Sequence, residues 1–301
     1  MQELNTSYTA RKILSKVWHL PIIQTFIPDK SYLKLQYKNF TGNRLNLSNP
    51  KSFNEKLQWL KLYNRNPLYT DLVDKIKVRE HISSVVGNEY LVPIIGIYDS
   101  FEEINFDALP KQFVLKPNHT SGDVFICKDK SKIDFLKLKK EINSWLRKRY
   151  YLVHREWPYK DIKPKIICEE YLTQENGKEL LDYKFMCFNG EVKCSFVCLN
   201  RNSSEGLNID FYNLDWEKMP FKRHYPNSTK VTPKPKHYNQ MIEFAQKLSK
   251  DIPFVRVDFY ETNDRLYFGE LTFFPGSGYE KFSPESYDHL LGSWLKLPTK
   301  Y

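Results

Sequence analysis

Two apolar strands around a polar turn, each carrying one acid, constrain this chain more than any other stretch. They are FVRVDFYETNDRLYFGELTFFPGSG, Phe254 to Gly278. The strands are expected over Phe254 to Tyr260 and Leu266 to Thr272, with Glu261 to Arg265 between them. Alternation puts Arg256, Asp258 and Tyr260 on one face of the first, and Glu270 and Thr272 on one face of the second. A loop of three or five residues sets Asp258 across from Glu270. A loop of two sends the acids to opposite faces. Like charges set directly opposite destabilise a sheet, and a divalent cation between them removes that cost. The plainer alternative is an exposed polar face with two solvated acids.

The length of 301 residues and the 41% hydrophobic content allow one large or two medium globular domains and argue against disorder. No apolar run is long enough to span a bilayer. The N-terminal MQELNTSYTARKILSKVW lacks the apolar core and cleavage site of a secretory signal. The expected location is therefore the cytoplasm. Five cysteines, an odd number without CxxC spacing, sit in apolar contexts and read as reduced core residues. The net charge of +10 calls for an anionic partner. The basic residues are scattered, with local groupings such as Lys128 to Lys140, which argues against a nucleic-acid footprint.

Residues 1–70 are expected to be mostly helical. Tyr8 to Phe26 reads as a helix packed on its own domain or lying on a membrane surface. Ser52 to Tyr63 reads as an amphipathic helix, and DLVDKIKVREHISSVV as a single helix ended by Gly87. Ser131 to Tyr150 reads as a long polar helix, and DYKFMCFNGEVKCSFVCL as a hairpin turning at Asn189–Gly190. Residues 201–236 read as an irregular excursion or lid.

Three further motifs carry chemistry. Lys116 ends a strand and precedes PNHTSG, a loop offering N–H groups and hydroxyls to a phosphate without Walker A spacing. A plain hairpin explains it equally. His119 in that loop reads as a phosphate donor, a substrate contact, a structural residue or a general base. IICEEYL runs an apolar strand into Glu169 and Glu170, which suits a nucleotide-base pocket or an edge strand emerging into solvent. Asp182 and Lys184 share a strand face, as an ion pair or, with Lys116 and Arg256, as part of a cationic set for a polyphosphate.

In sequence order these pieces resemble the ATP-grasp superfamily. Their wording is similar to its TupA-like branch, associated with bacterial cell-surface polysaccharide synthesis. The segments are FNEKLQWLKLYNRNPLYTDLVDKIKVRE, LPKQFVLKPNHTSG, REWPYKDIKPKIICEEYL, DYKFMCFNGEVK and RVDFY…LYFGELTFFPGSG. The resemblance implies an α+β ATP-grasp fold, two lobes gripping ATP. A helical region, 1–70, would precede a first lobe, 71–172, and a second, 173–301. It implies phosphate binding by Lys116 and Lys184 under a loop of Asn118, His119, Thr120, Ser121 and Gly122. It places adenine at Glu169, Glu170, Tyr171 and Leu172. Asp258, Glu270 and Thr272 would be Mg²⁺ ligands, Thr272 standing where many relatives have asparagine, with Arg256 at the γ-phosphate. Asp182, Glu175 and Glu179 compete for the ribose.

The implied reaction is an ADP-forming carboxylate–amine ligation through an acylphosphate, with Lys184, Arg256 and His119 as catalytic candidates. The implied partners are an acidic glycan or a nucleotide- or lipid-linked sugar precursor, an amino acid or other amine, and the inner membrane face. The alternatives are an ATP-using sugar kinase or glycosyltransferase-like enzyme, and a basic non-enzymatic module for RNA or anionic membrane.

Overall fold

A computed structural model of the chain describes residues 25–174, 180–200 and 206–299. Most of the Tyr8–Phe26 segment, together with Glu175 and Glu179, lies outside them.

Four helices come first: α1 (Asp29–Thr41), α2 (Phe53–Tyr63), α3 (Leu68–Val73) and α4 (Val78–Val85). Ser52 starts α2 with a capping box. Its hydroxyl accepts from the Glu55 N–H at 3.3 Å, and the Glu55 carboxylate accepts from the Ser52 N–H at 3.3 Å. The single helix expected over 71–86 is divided at Asp74. The Asp74 carboxylate accepts from the Ile76 N–H at 2.9 Å and from Asn118 Nδ2 at 3.0 Å. Such a side-chain bond to the local backbone competes with helix continuation.

The smaller sheet has the order β1–β4–β2–β3, from β1 (Ile94–Tyr98), β2 (Phe113–Pro117), β3 (Phe125–Cys127) and β4 (Ile166–Glu170), all antiparallel. Phe113, Leu115, Cys127, Ile166 and Cys168 pack with Leu138, Ile142 and Trp145 of α5 (Phe135–Arg147) into a small core. Alternation turns Lys116 and Glu169 to the other face. The short α6 (Tyr151–His154) follows α5.

The larger sheet has the order β10–β9–β5–β6–β7. Its strands are β5 (Asp182–Phe188), β6 (Glu191–Leu199), β7 (Asn208–Tyr212), β9 (Phe254–Thr262) and β10 (Arg265–Thr272). Central β5 is buried throughout. The β5–β6 hairpin turns at Asn189–Gly190, both with positive φ, as a two-residue hairpin requires. Helix α7 (Tyr238–Leu248) packs Tyr238, Met241, Phe244 and Ala245 into the same core as Phe185, Cys187, Val257 and Phe259. The opposite alternation set holds Asp182, Lys184, Arg256 and Asp258. Within the expected excursion or lid, described residues 206–236 supply β7 and also β8 (Lys222–Arg223), which pairs with β11 (Phe282–Ser283). Helix α8 (Ser286–Trp294) closes the chain against α2.

The larger core also draws on the N-terminal helices, through Leu33, Leu57, Leu60 and, from residues 71–91, Leu72, Val73, Val78, Ile82 and Leu91. All five cysteines are buried and free. Among the described residues no helix is long and apolar enough to cross a membrane.

Candidate functional site

The β9–β10 hairpin closes on two residues, Asn263 and Asp264, both at positive φ. From the turn to Phe268↔Phe259 the ladder is regular, and that register would send Asp258 and Glu270 to opposite faces. A β-bulge between Phe268 and Leu271 reverses the outcome, because one extra residue lets Gly269 and Glu270 together oppose Asp258. Beyond it Leu271 pairs Val257 and Thr272 pairs Arg256, so Glu270 lies with Asp258 after all. A β-carbon on Gly269 would come within 3.1 Å of the Asp258 carbonyl oxygen, which is why the bulge carries glycine.

Arg256 stands between the two acids. Its Nε and Nη2 each donate to Asp258 at 2.6 Å, and Nη2 also donates to Glu270 Oε1 at 2.9 Å. Thr272 Oγ1 donates to the same Glu270 oxygen at 3.0 Å. Lys184, paired directly with Asp258 across β5 and β9, donates to the Asp258 carboxylate and reaches Asp182 at 2.7 Å. Asp258 is 1% exposed. Burial alone would raise its pKa, but Arg256 and Lys184 outweigh that and hold it below the usual carboxylate range. Burial likewise works against the Arg256 charge, and Asp258 and Glu270 overcome it and raise its pKa.

From the smaller sheet Lys116 meets Glu169 at 2.5 Å, with Arg79 of α4 4.0 Å from the other Glu169 oxygen. Glu170 alternates to the far side, where it lines a groove of about 770 Å³ with Tyr171, Lys111 and Lys128. Leu172 is half-buried just beyond the strand.

Lys75, at the break between α3 and α4, joins the two groups, a role that its place in the sequence did not assign to it. It donates to the Thr120 carbonyl. Desolvation lowers its pKa to about 8, with Glu270 and Glu169 pulling it up and Lys116 pushing it down. Its place in the segment DKIKVR was the available signal.

The 118–122 loop divides into a buried root and an exposed tip. Asn118 is used structurally, donating to Asp74 and to the Lys163 carbonyl at 3.2 Å and accepting from the Lys165 N–H at 2.8 Å. His119 is buried, its ring against the backbone of Lys148 and Trp145, and desolvation lowers its pKa. Neither side chain is presented for phosphate or proton transfer. Thr120 Oγ1 donates to Asp123 at 2.7 Å. Ser121 and Gly122 form the exposed tip.

A second polar cluster adjoins Arg256 and Glu270. Glu156 is 5% exposed and accepts from Ser277 Oγ at 2.6 Å. Burial raises its pKa and Lys61 opposes the rise. Lys61 donates to the carbonyls of Ser277 at 2.8 Å and His154 at 2.9 Å, while Gln58 donates to the carbonyls of Ser277 and Gly278. These bonds hold a backbone in which Gly276, Ser277 and Gly278 all have positive φ.

For a hard divalent cation the donor chemistry fits. Asp258, Glu270 and Thr272 offer oxygens on adjacent strands. Among the described residues no group of three or more acid, histidine or cysteine side chains forms a protein-only cage. Two carboxylates completed by phosphate oxygens and water are what Mg²⁺ accepts, whereas an all-protein cage is not its habit.

Two antiparallel sheets with packed helices, and a mixed set of cations and acids spread over both sheets, make this an α+β protein. The chain belongs to the TupA-like ATP-grasp family, whose model matches residues 55–296.

Among solved structures it is similar to the D-alanine–D-alanine ligase of Bacillus anthracis complexed with ATP, at 18% identity and a TM-score of 0.40, covering 67% of this chain and 54% of that one. The D-alanine–D-alanine ligase of Helicobacter pylori matches at 14% and 0.41, covering 82% and 70%. The ATP-grasp ligase PsnB, solved with a precursor variant, Mg and ADP, matches at 12% and 0.39, covering 80% and 65%. The chain thus spans about half the length of the first of these. Comparison with curated proteins finds no match.

Proposed function

We propose that the protein is an ATP-dependent carboxylate–amine ligase, ADP-forming and working through an acylphosphate. Its acceptor would be a uronic-acid-containing surface glycan or precursor, and its co-substrate an amino acid or another amine. The observation that carries this reading is the row of opposite charges running across both sheets. Glu169 and Lys116 lead through Lys75 to Glu270, Arg256, Asp258, Lys184 and Asp182.

Its members sort into two sets, cations matched to phosphate oxygens and acids matched to a hard cation. Binding Mg²⁺–ATP would exchange one set of ion pairs for another, which limits the desolvation cost of the exchange. Lys116, Lys75 and Lys184 would hold the polyphosphate, and Arg256 the transferred group, with bidentate geometry. Asp258, Glu270 and Thr272 would hold Mg²⁺, which supplies charge neutralisation at the transferred phosphoryl group. Glu169 and the backbone near Leu172 would receive the adenine.

Positioning and charge neutralisation are the main demands of phosphoryl transfer, so a site without a protein nucleophile suffices. The glycan as acceptor is supported by the resemblance to the polysaccharide-associated branch and by the net charge of +10. The test is incubation with ATP, Mg²⁺, a uronic-acid precursor and pooled amino acids, followed by mass spectrometry. ADP with an amide supports the ligase; ADP with a phosphorylated sugar and no amide points to a kinase instead.

A further inference from the structure

We propose that the outward face of α5 docks the chain on an anionic lipid bilayer, with Leu136 entering the headgroup boundary and Lys137, Lys140 and Arg147 lying against the lipid phosphates. Docking of this kind sets where the protein works and does not depend on the ligase reading.

Much of the net charge of +10 falls in one segment, since Lys128 to Arg149 holds nine basic residues against three acids. The acids are already engaged or turned aside. Asp134 caps α5, accepting from the Lys137 N–H at 3.0 Å. Asp129 accepts from the Ser131 hydroxyl at 2.7 Å and lies 3.5 Å from Lys132. Glu141 is half-buried on the flank of the helix. Lys139 pairs with Glu102 and Lys148 with Asp123, at 2.7 and 2.8 Å. Among the described residues Lys137, Lys140 and Arg147 have no acidic partner within 4.0 Å, and all three side chains are exposed.

The helix gathers them. Leu138, Ile142 and Trp145 bury one side of α5 against the smaller sheet. At 3.6 residues per turn Leu136, Lys140 and Arg147 then form a row on the opposite side, with Lys137 next to it. The row begins at an apolar tip. Leu136 is 77% exposed and Phe135 beside it 45%, its ring edge to face with Phe106 at 5.0 Å between centroids.

Cations without internal partners attract a polyanion, and the shape of this face selects among polyanions. A row on a convex helix has no groove to hold a glycan or nucleic-acid strand, and no series of rings for bases to stack on. A bilayer meets it along its whole length. Anionic headgroups match the cations, and the projecting leucine is driven out of water into the headgroup boundary. The α5 core lies on the face of the smaller sheet turned away from Lys116 and Glu169, so a bilayer there leaves the candidate site uncovered.

The test is sedimentation of the full chain with vesicles of phosphatidylcholine, alone or mixed with phosphatidylglycerol. Wild type should bind the mixed vesicles only, and less well as salt rises from about 0.1 M to about 1 M. Combined Lys137→Gln, Lys140→Gln and Arg147→Gln should weaken binding about fivefold for each charge removed. Leu136→Ala should weaken it about tenfold. Both variants should unfold in urea as wild type does, because the four side chains are exposed. Combined Lys230→Gln, Lys247→Gln and Lys250→Gln removes the same charge from exposed residues outside α5 and should leave binding unchanged. Wild type that ignores the mixed vesicles, equal weakening by the two triple variants, or no effect of Leu136→Ala overturns the docking face. So does capture of wild type by polygalacturonate or RNA in place of vesicles, lost in the α5 triple variant, which would assign the face to a soluble polyanion.

Discussion

Asp258 and Glu270, paired by alternation in the sequence, differ in what holds them. Asp258 is sealed among Arg256 and Lys184, whereas the Glu270 side chain is 34% exposed. Asp258→Asn should therefore abolish ATP turnover and also cost about 3–5 kcal/mol in urea unfolding, because it leaves buried cations without their counter-charge. Glu270→Gln should abolish turnover at a cost of roughly 1 kcal/mol or less, as for a partly exposed pair. Equal destabilisation by the two would contradict this division.

Lys75 gives a pH signature. Its ordinary pKa of 10.5 falls to about 8 in the fold, so from about pH 8 upward the folded chain releases a proton that the unfolded chain keeps. Stability should then rise with pH until the tyrosines begin to ionise near pH 10. Lys61, also lowered to about 8, adds to the rise. Lys75→Met should flatten the slope of unfolding free energy between pH 8 and pH 10, and a slope equal to wild type would count against the desolvated lysine. Alternation assigns Lys184 and Arg256 a face without knowledge of the neighbours, and Lys116 stands out as the end of a strand. Lys75 and Glu156 were not legible in this way, since their surroundings are set by residues more than 40 positions away, at Thr120 and Ser277.

At the scale of elements the bulge at Gly269 decides whether the site exists. A two-residue turn and a regular ladder would have separated the acids, and no local pattern in LYFGELT announces the extra residue except the glycine itself. Gly269→Val should lose about 1–3 kcal/mol through overpacking against the Asp258 carbonyl, with a larger fall in kcat than in expression. Chemical denaturation and steady-state kinetics on the same preparation check both.

Helix α2 shows the opposite limit. Its capping box and apolar positions were readable. Its buried polar stripe of Asn54, Gln58 and Lys61 was not, because those residues bond carbonyls of the loop over 200 residues away. Gln58→Leu should cost about 1–3 kcal/mol by leaving the Ser277 and Gly278 carbonyls short of donors. The division of residues 71–86 at Asp74 has the same origin, since Asn118 holds the break from 44 residues further along the chain.

For the whole molecule, the alternation of strands and helices was enough to anticipate an α+β chain, and the order of motifs enough to anticipate the family. The membership of the cores was less accessible. Helices from both sides of residue 71 join the larger core, while the smaller one begins at Ile104. Hydrophobic periodicity marks a buried face but not the sheet that buries it.

The two cores place one row of opposite charges across both sheets, and in the proposed reaction that row exchanges its internal ion pairs for Mg²⁺–ATP. Thermal unfolding with ATP, with and without Mg²⁺, measures the exchange directly. For wild type, saturating Mg²⁺–ATP should raise Tm, with about 2.7 kcal/mol of stabilisation at a hundred times Kd, and chelating Mg²⁺ should remove most of it. In Glu270→Gln the difference between Mg²⁺–ATP and ATP alone should vanish. A wild-type Tm indifferent to nucleotide, or a full Mg²⁺ dependence in Glu270→Gln, would contradict the assignment of Mg²⁺–ATP to this row of charges.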